Sequence, residues 1–257
     1  MKLPRESEIR WGVPSLPFWF DAPHCSWTNS AMAEPSQPSV ATEASAANAR
    51  RAVFFLATPL HDGRVHHTYL AGAVQMSAAA PGQLIVSTYT NSFLPVSRDL
   101  LTAQFLRSPA THMLCIDSDI GWSPADVEKL LYANKDFVSG IYARKQADGA
   151  PASHLLETRE GALIECHHAA AGFLLLTRAC VERLVAAHPE LVYKTPHGTC
   201  WALWSPVFNG KPYSEDTAFS ARWRALGGKI WAHSQVLLQH YGEKMYFPSG
   251  FAEPSPG

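Results

Sequence analysis

The sequence predicts an α/β fold, with a mostly parallel central sheet covered by helices on both faces. Two observations predict it. The chain has 257 residues, 47% of them apolar and 17% charged, enough for one large α/β domain with a sizeable core. From Ala52 onward, short continuous apolar runs alternate with helical periodicities, the pattern of strands buried on both faces.

Taken in order, "AVFFLAT" reads as a buried strand. "GRVHHTYLAGAVQMSAA" follows as a helix with Val65, Tyr69, Ala73 and Met76 on one stripe. "QLIVSTY" is a second strand, and "SRDLLTAQFLRS" a helix with Ser97 as its N-cap. "HMLCI" is the third strand. "SPADVEKLLYAN" places Ser at the N-cap, Pro at the first helical position and Asp at the third, a capping box. "DFVSGIY" is a fourth strand. After Tyr142 the pattern changes: "SHLLETREGALIECHH" is a hairpin turning at Glu160-Gly161. "AAGFLLLTRACVERLVAAH" is a strand running into a helix, and residues 188–213 form a long aromatic-rich loop. "SEDTAFSARWRALGG" is a helix closed by Gly227 and Gly228, and "KIWAHSQVLLQHYG" completes the fold in extended conformation. These elements set one domain over residues 51–247, followed by a flexible tail over residues 248–257.

Residues 31–50 are rich in Ala, Ser, Pro, Glu and Thr with almost no large apolar side chain. Such a composition cannot bury enough surface to offset its ordering entropy, so residues 1–50 are expected to be poorly ordered. Aromatic residues precede that stretch (Trp11, Phe18, Trp19, Phe20, Trp27). They would pack on the domain or form a recognition segment, or Met32 would be the true start; the sequence leaves these open. The first twenty residues carry Glu6, Glu8, Pro14 and Pro17 and do not read as a signal peptide.

A formal net charge of −1 argues against nucleic acid as the main partner, which would require a basic excess. No run of apolar residues is long enough for a transmembrane helix. Five cysteines include no CxxC pair, and Cys115 within an apolar strand reads as a small buried hydrophobe. The expectation is a cytoplasmic protein, free or peripheral at the inner membrane surface.

The strongest local signal is "CIDSDIGWSP", where an apolar strand ends in Asp117-Ser118-Asp119. In a doubly wound sheet ligands gather at the carboxyl ends of strands, and a spacing of two sends both carboxylates the same way. The pair suits a hard divalent cation whose shell is completed by phosphate oxygens. A purely structural role as helix cap is already filled by Ser123.

This strand-Asp-Ser-Asp arrangement, with "YSEDTAFSARWRALGGKIWAH" and "LLQHYG" downstream, resembles the GT-A class of nucleotide-sugar glycosyltransferases with an Asp-any-Asp motif, family 2-like members especially. The similarity spans roughly residues 52 to 242. It implies a three-layer GT-A (nucleotide-diphospho-sugar transferase) sandwich and transfer of a sugar from a nucleoside-diphosphate sugar to a glycan, lipid or protein hydroxyl. It also implies Mn²⁺ or Mg²⁺ held by Asp119 and His240, with Asp117 on the ribose or on the metal through water. Asp216 would be the general base, with Glu215 beside it. Thr58 and Pro59 would line the nucleotide, Arg98 would reach the diphosphate, and Gly172 and Phe173 would hold donor sugar or acceptor through backbone. Trp201 and Trp204 would stack on an acceptor sugar, though plain packing of the loop is an equal reading. Acids in the first turn of a helix also simply complement its dipole. His233 competes with His240 for the ligand role. The adjacent pairs His66-His67 and His167-His168 face opposite ways on regular elements and are read as structural or solvent-facing.

The chain lacks the Gln/Arg-any-any-Arg-Trp motif of processive synthases, so single addition fits better than polymerisation. Three other functions stay in view. A haloacid-dehalogenase-like phosphohydrolase would want Thr or Val where Gly121 stands. A nucleotidyltransferase would want a Gly-rich basic loop after the first strand, where "TPLHDGR" stands. A non-catalytic sugar-binding protein would need neither Asp119 nor Asp216.

Overall fold

The computed structural model describes residues 52–146, 148–242 and 244–250. The expectations for residues 1–50 and for 251–257 lie outside these. The expected flexible tail begins too early, however. Pro248 is buried, and the Ser249 N–H donates to the Gly149 carbonyl at 2.9 Å.

The core is a ten-stranded mixed sheet. Its main strands are β1 (Phe54–Leu60), β2 (Leu84–Thr90), β3 (His112–Ile116), β5 (Phe137–Tyr142), β6 (His154–Glu160), β7 (Leu163–His168), β8 (Phe173–Thr177) and β13 (Trp231–Tyr241), with short β4 (Ile120–Gly121) and β14 (Met245–Tyr246) at one end. The spatial order is β2-β1-β3-β8-β5-β13-β7-β6. β1 is parallel to β2 and β3, and β5 to β13, whereas β8 runs antiparallel to both β3 and β5. Phe173 pairs with Ile116, so the chain re-enters the sheet at the carboxyl end of β3 and β8 must run against its neighbours.

Alternation along the strands feeds two apolar layers. Phe54, Leu56, Leu114 and Ile116 face one side with Tyr69, Met76, Val127 and Leu130. These last come from α1 (His67–Ala79) and α3 (Pro124–Tyr132). Phe55, Ala57, Met113 and Cys115 face the other with Leu101, Phe105, Val181, Leu184, Phe219 and Trp223. Those come from α2 (Leu94–Arg107), α4 (Arg178–Ala187) and α5 (Glu215–Ala225). The result is the expected helix–sheet–helix sandwich.

Several local expectations change. α2 starts three residues earlier than Ser97, with Pro95 in its first turn, where a missing N–H costs nothing. Ser97 is therefore a buried helix residue and not a cap. Val65 precedes α1 and is exposed, while Tyr69, Gly72 and Met76 make that helix's buried stripe. The Ser123 cap stands: its N–H donates to Asp126 Oδ2 at 2.9 Å. The long loop over residues 188–213 is organised into two small hairpins, β9 (Val192–Thr195) with β10 (Gly198–Trp201) and β11 (Val207–Phe208) with β12 (Lys211–Pro212). The expected hairpin turn is present, with Gly161 at φ +60°. No helix among the described residues is long and apolar enough to cross a membrane.

Candidate functional site

Three different elements hold the Asp-Ser-Asp turn by its backbone. The Asp117 N–H donates to the Gly172 carbonyl at 3.0 Å, just before β8. The Ser118 carbonyl accepts from the His66 N–H at 2.7 Å, at the start of α1. The Asp119 carbonyl accepts from the Tyr241 N–H at 2.9 Å, at the end of β13. The chain crosses from β1 to β2 on one side and to β3 on the other, so the loops after β1 and β3 flank a switch point, where ligands of open α/β sheets bind.

The two carboxylates have different surroundings. Asp117 Oδ1 accepts from Arg98 Nη2 at 2.8 Å. The Arg98 side chain is 3% exposed, also reaches the Ala171 carbonyl at 3.4 Å, and lies over the Trp204 ring. Its Nε sits 3.5 Å from Glu215 Oε1 without a hydrogen bond. Burial works against the guanidinium charge, but Asp117 and Glu215 more than offset it and keep Arg98 cationic. Glu215 is pushed up from the usual carboxylate range by burial, against the pull of Arg98. Behind Asp117, Tyr142 Oη accepts from the Gly172 N–H at 2.8 Å. A Cβ at Gly172 would lie 2.5 Å from that hydroxyl and 3.0 Å from Asp117 Oδ2, so only glycine fits there.

Asp119 is paired with Lys145 through Oδ2, and its Oδ1 lies 3.5 Å from His240 Nε2. His240 donates from Nδ1 to the Ala143 carbonyl at 2.8 Å, which turns its Nε2 edge toward the Asp119 carboxylate. Burial raises the Asp119 carboxyl, but His240 and Lys145 together outweigh it and hold it below the usual carboxylate range. His66, stacked on Tyr241 with ring centroids 3.9 Å apart, lies within the field of Asp119.

Several expected contacts are corrected. Thr58 is fully buried and shares a hydrogen bond with Tyr69, and Pro59 is buried beside it. Neither forms a nucleotide lip, and the exposed edge after β1 begins at His61. Arg98 is buried and its guanidinium is engaged by Asp117 and Glu215. Gly172 uses both backbone polar groups on Asp117 and Tyr142. Phe173 is buried in β8 against Trp122, with its backbone in register with Ile116. Trp204 is a core residue: it stacks on Phe219 at 3.9 Å, donates from Nε1 to Thr102 Oγ1 at 2.9 Å and has no exposed surface. Trp201 is half-buried at the end of β10. Asp216 Oδ1 accepts from the Ser214 hydroxyl and from the Thr217 N–H, a first-turn arrangement, so Glu215 is the acid that joins Arg98. His233 accepts from the Gln235 N–H through Nδ1, beside Leu163 in the β13–β7 pairing and apart from the acidic turn.

Asp119 and His240 come together. Asp117 does not join them within ligating distance, because among the described residues one trio alone brings ligand atoms within 4.8 Å of one another, and it is His154, His167 and His168. The sequence reading names no role for Tyr142 or Lys145 and takes His66 as structural or solvent-facing. The signal for the first two was their place at the carboxyl end of a strand, in "GIYARK".

The fold and site define a mixed α/β protein with an acidic turn at the carboxyl edge of its sheet. No protein-family model matches the chain, and a search of curated proteins finds no match. Among solved structures, the chain is similar to A197 from STIV, at 14% identity and a TM-score of 0.47, over 80% of this chain and 98% of that one. It is also similar to UDP-glucose pyrophosphorylase complexed with UDP-glucose, at 12% identity and a TM-score of 0.38, over 79% of this chain and 77% of that one.

Proposed function

We propose that this chain is a metal-dependent glycosyltransferase of GT-A type, moving a sugar from a nucleoside-diphosphate sugar to a hydroxyl acceptor. The observation that carries the reading is the facing of Asp119 and His240. His240 Nε2 faces Asp119 Oδ1 at 3.5 Å, a gap that a shared cation would bridge. One carboxylate oxygen and one imidazole nitrogen suit Mn²⁺, and Mg²⁺ with more water in its shell.

Such a cation, when bound, supplies charge stabilisation for a leaving nucleoside diphosphate. The chain's own residues do the rest. Lys145, 38% exposed, releases Asp119 and takes up phosphate charge. Asp117, fixed by Arg98 and by Gly172, presents its second oxygen to the ribose. Asp216 is the proposed base toward the acceptor hydroxyl, its field reaching Tyr142 and His168. Arg98 keeps Glu215 and Asp117 in register.

Calorimetry with a panel of nucleoside diphosphates, with and without Mn²⁺, tests this. The expected result is Mn²⁺-dependent binding of one base, weakened by Asp119→Ala. Absence of metal-dependent binding to every member of the panel, or undiminished binding in Asp119→Ala, overturns it.

A further inference from the structure

The hairpin of β6 and β7 carries an arrangement that regular strand geometry forbids. His154 pairs with His168, but the next pair is Leu155 with Cys166, so at this step β7 holds one residue more than β6. That extra residue is His167. A β-bulge breaks the alternation of side chains and re-aims the bulged one, and here it turns His167 onto the side of His154 and His168. Ring centroids are 5.5 Å apart for His154 and His167, 5.7 Å for His154 and His168, and 6.2 Å for His167 and His168. One ring nitrogen from each lies within 4.8 Å of the other two.

We propose that His154, His167 and His168 form a second metal site, distinct from the acidic turn, that takes Zn²⁺ or a similar borderline divalent ion. The donor set decides the class of ion. Three neutral imidazoles suit zinc, copper, nickel or cobalt, whereas magnesium and manganese prefer oxygen. The size is right as well. Three nitrogens at about 2.0 Å from a tetrahedral zinc stand about 3.3 Å apart, so the ring nitrogens need to close by at most about 1.5 Å. His154 and His167 are exposed. His168 is half-buried, with the Ala152 backbone beside its ring. Asp216 at the start of α5 lies within electrostatic reach of His168 and favours a cation there. Arg224 opposes it at His167, though its guanidinium is directed at the Cys166 and His167 carbonyls. The site leaves a fourth position for water or another ligand.

The test uses the full chain without a polyhistidine tag, stripped with chelator and titrated with Zn²⁺ alone. A zinc site is expected that is weakened at least about tenfold in His154→Ala, His167→Ala and His168→Ala and kept in Asp119→Asn. Thermal melts confirm that each variant folds, and Co²⁺ in place of zinc gives the strong visible absorption of a four- or five-coordinate ion. The proposal is overturned if the parent binds no zinc, or if the histidine variants bind it as the parent does. It is also overturned if Asp119→Asn, and not the histidine changes, removes the site. Because the readout is zinc at the histidines and not nucleotide at the acidic turn, its failure leaves the glycosyltransferase reading standing, and the reverse holds.

Discussion

His240 meets Asp119 with Nε2 3.5 Å from Oδ1 while Nδ1 donates to the Ala143 carbonyl at 2.8 Å. The outer hydrogen bond fixes the ring, and its Nε2 edge faces the carboxylate. His240→Ala is expected to weaken Mn²⁺-dependent nucleotide binding about 10- to 100-fold with little change in melting temperature, measured by calorimetry and thermal denaturation on the same samples. Loss of fold in place of loss of metal would make His240 a structural residue.

Gly172 has no room for a side chain. Its Cβ would stand 2.5 Å from Tyr142 Oη and 2.8 Å from Tyr142 Cζ. Gly172→Ala is expected to cost about 1–3 kcal/mol through forced displacement of Tyr142 and Asp117. That corresponds to a fall of about 2–4 °C in melting temperature per kcal/mol, with nucleotide binding impaired as well.

Arg98 is the buried cation between two acids. Arg98→Met would strand Asp117 and Glu215 beside each other, and removing one partner of a buried ion pair typically costs about 3–5 kcal/mol. Chemical denaturation should show this loss. The double change Arg98→Met with Glu215→Gln should recover part of it, since one of the stranded charges is gone.

Asp99 is pushed up to about 7, chiefly by burial, against the lowering effect of the Trp204 N–H and the Tyr193 hydroxyl. Its folded value lies above that of the unfolded chain, so its contribution to stability is fully present below about pH 4. That contribution is lost as pH rises toward 7. Asp99→Asn keeps the shape of the protonated acid, with Oδ1 accepting from the Trp204 N–H. The variant should flatten this part of the stability–pH profile and be the more stable chain at pH 8, as read by denaturant midpoints across the range.

Trp204→Leu removes the stack on Phe219 and the bond to Thr102. The expected cost approaches the about 3–5 kcal/mol of large aromatic truncations in cores, without a change in acceptor preference that is separable from stability. A folded variant of parental stability with altered acceptor use would return Trp204 to the binding surface.

The strand and helix order was legible because buried strands and capped helices leave local marks: the unbroken apolar runs, Ser123-Pro124, Gly161. The acidic turn was legible for the same reason, as an apolar strand broken by two carboxylates. Depth was not. Arg98 near a helix start and Trp204 in an aromatic stretch look like surface groups in sequence, and only their partners, Asp117 and Phe219, show them to be interior. Thr58 was misplaced because the strand runs on to Leu60. The histidine trio was invisible since a bulge is a property of two strands in register, and adjacent residues on one strand are read as facing apart.

The backbone of Asp117-Ser118-Asp119 leans on His66, Gly172 and Tyr241, one from early in the domain, one from its middle and one from its last long strand. Such contacts join distant parts of the chain, and distant contacts form late because loop closure precedes their reward. The acidic turn therefore reaches its working shape only when the final strand has docked. A chain interrupted before Tyr241 would lack the bond from Tyr241 to the Asp119 carbonyl, so the proposed cation-dependent binding would report completed folding.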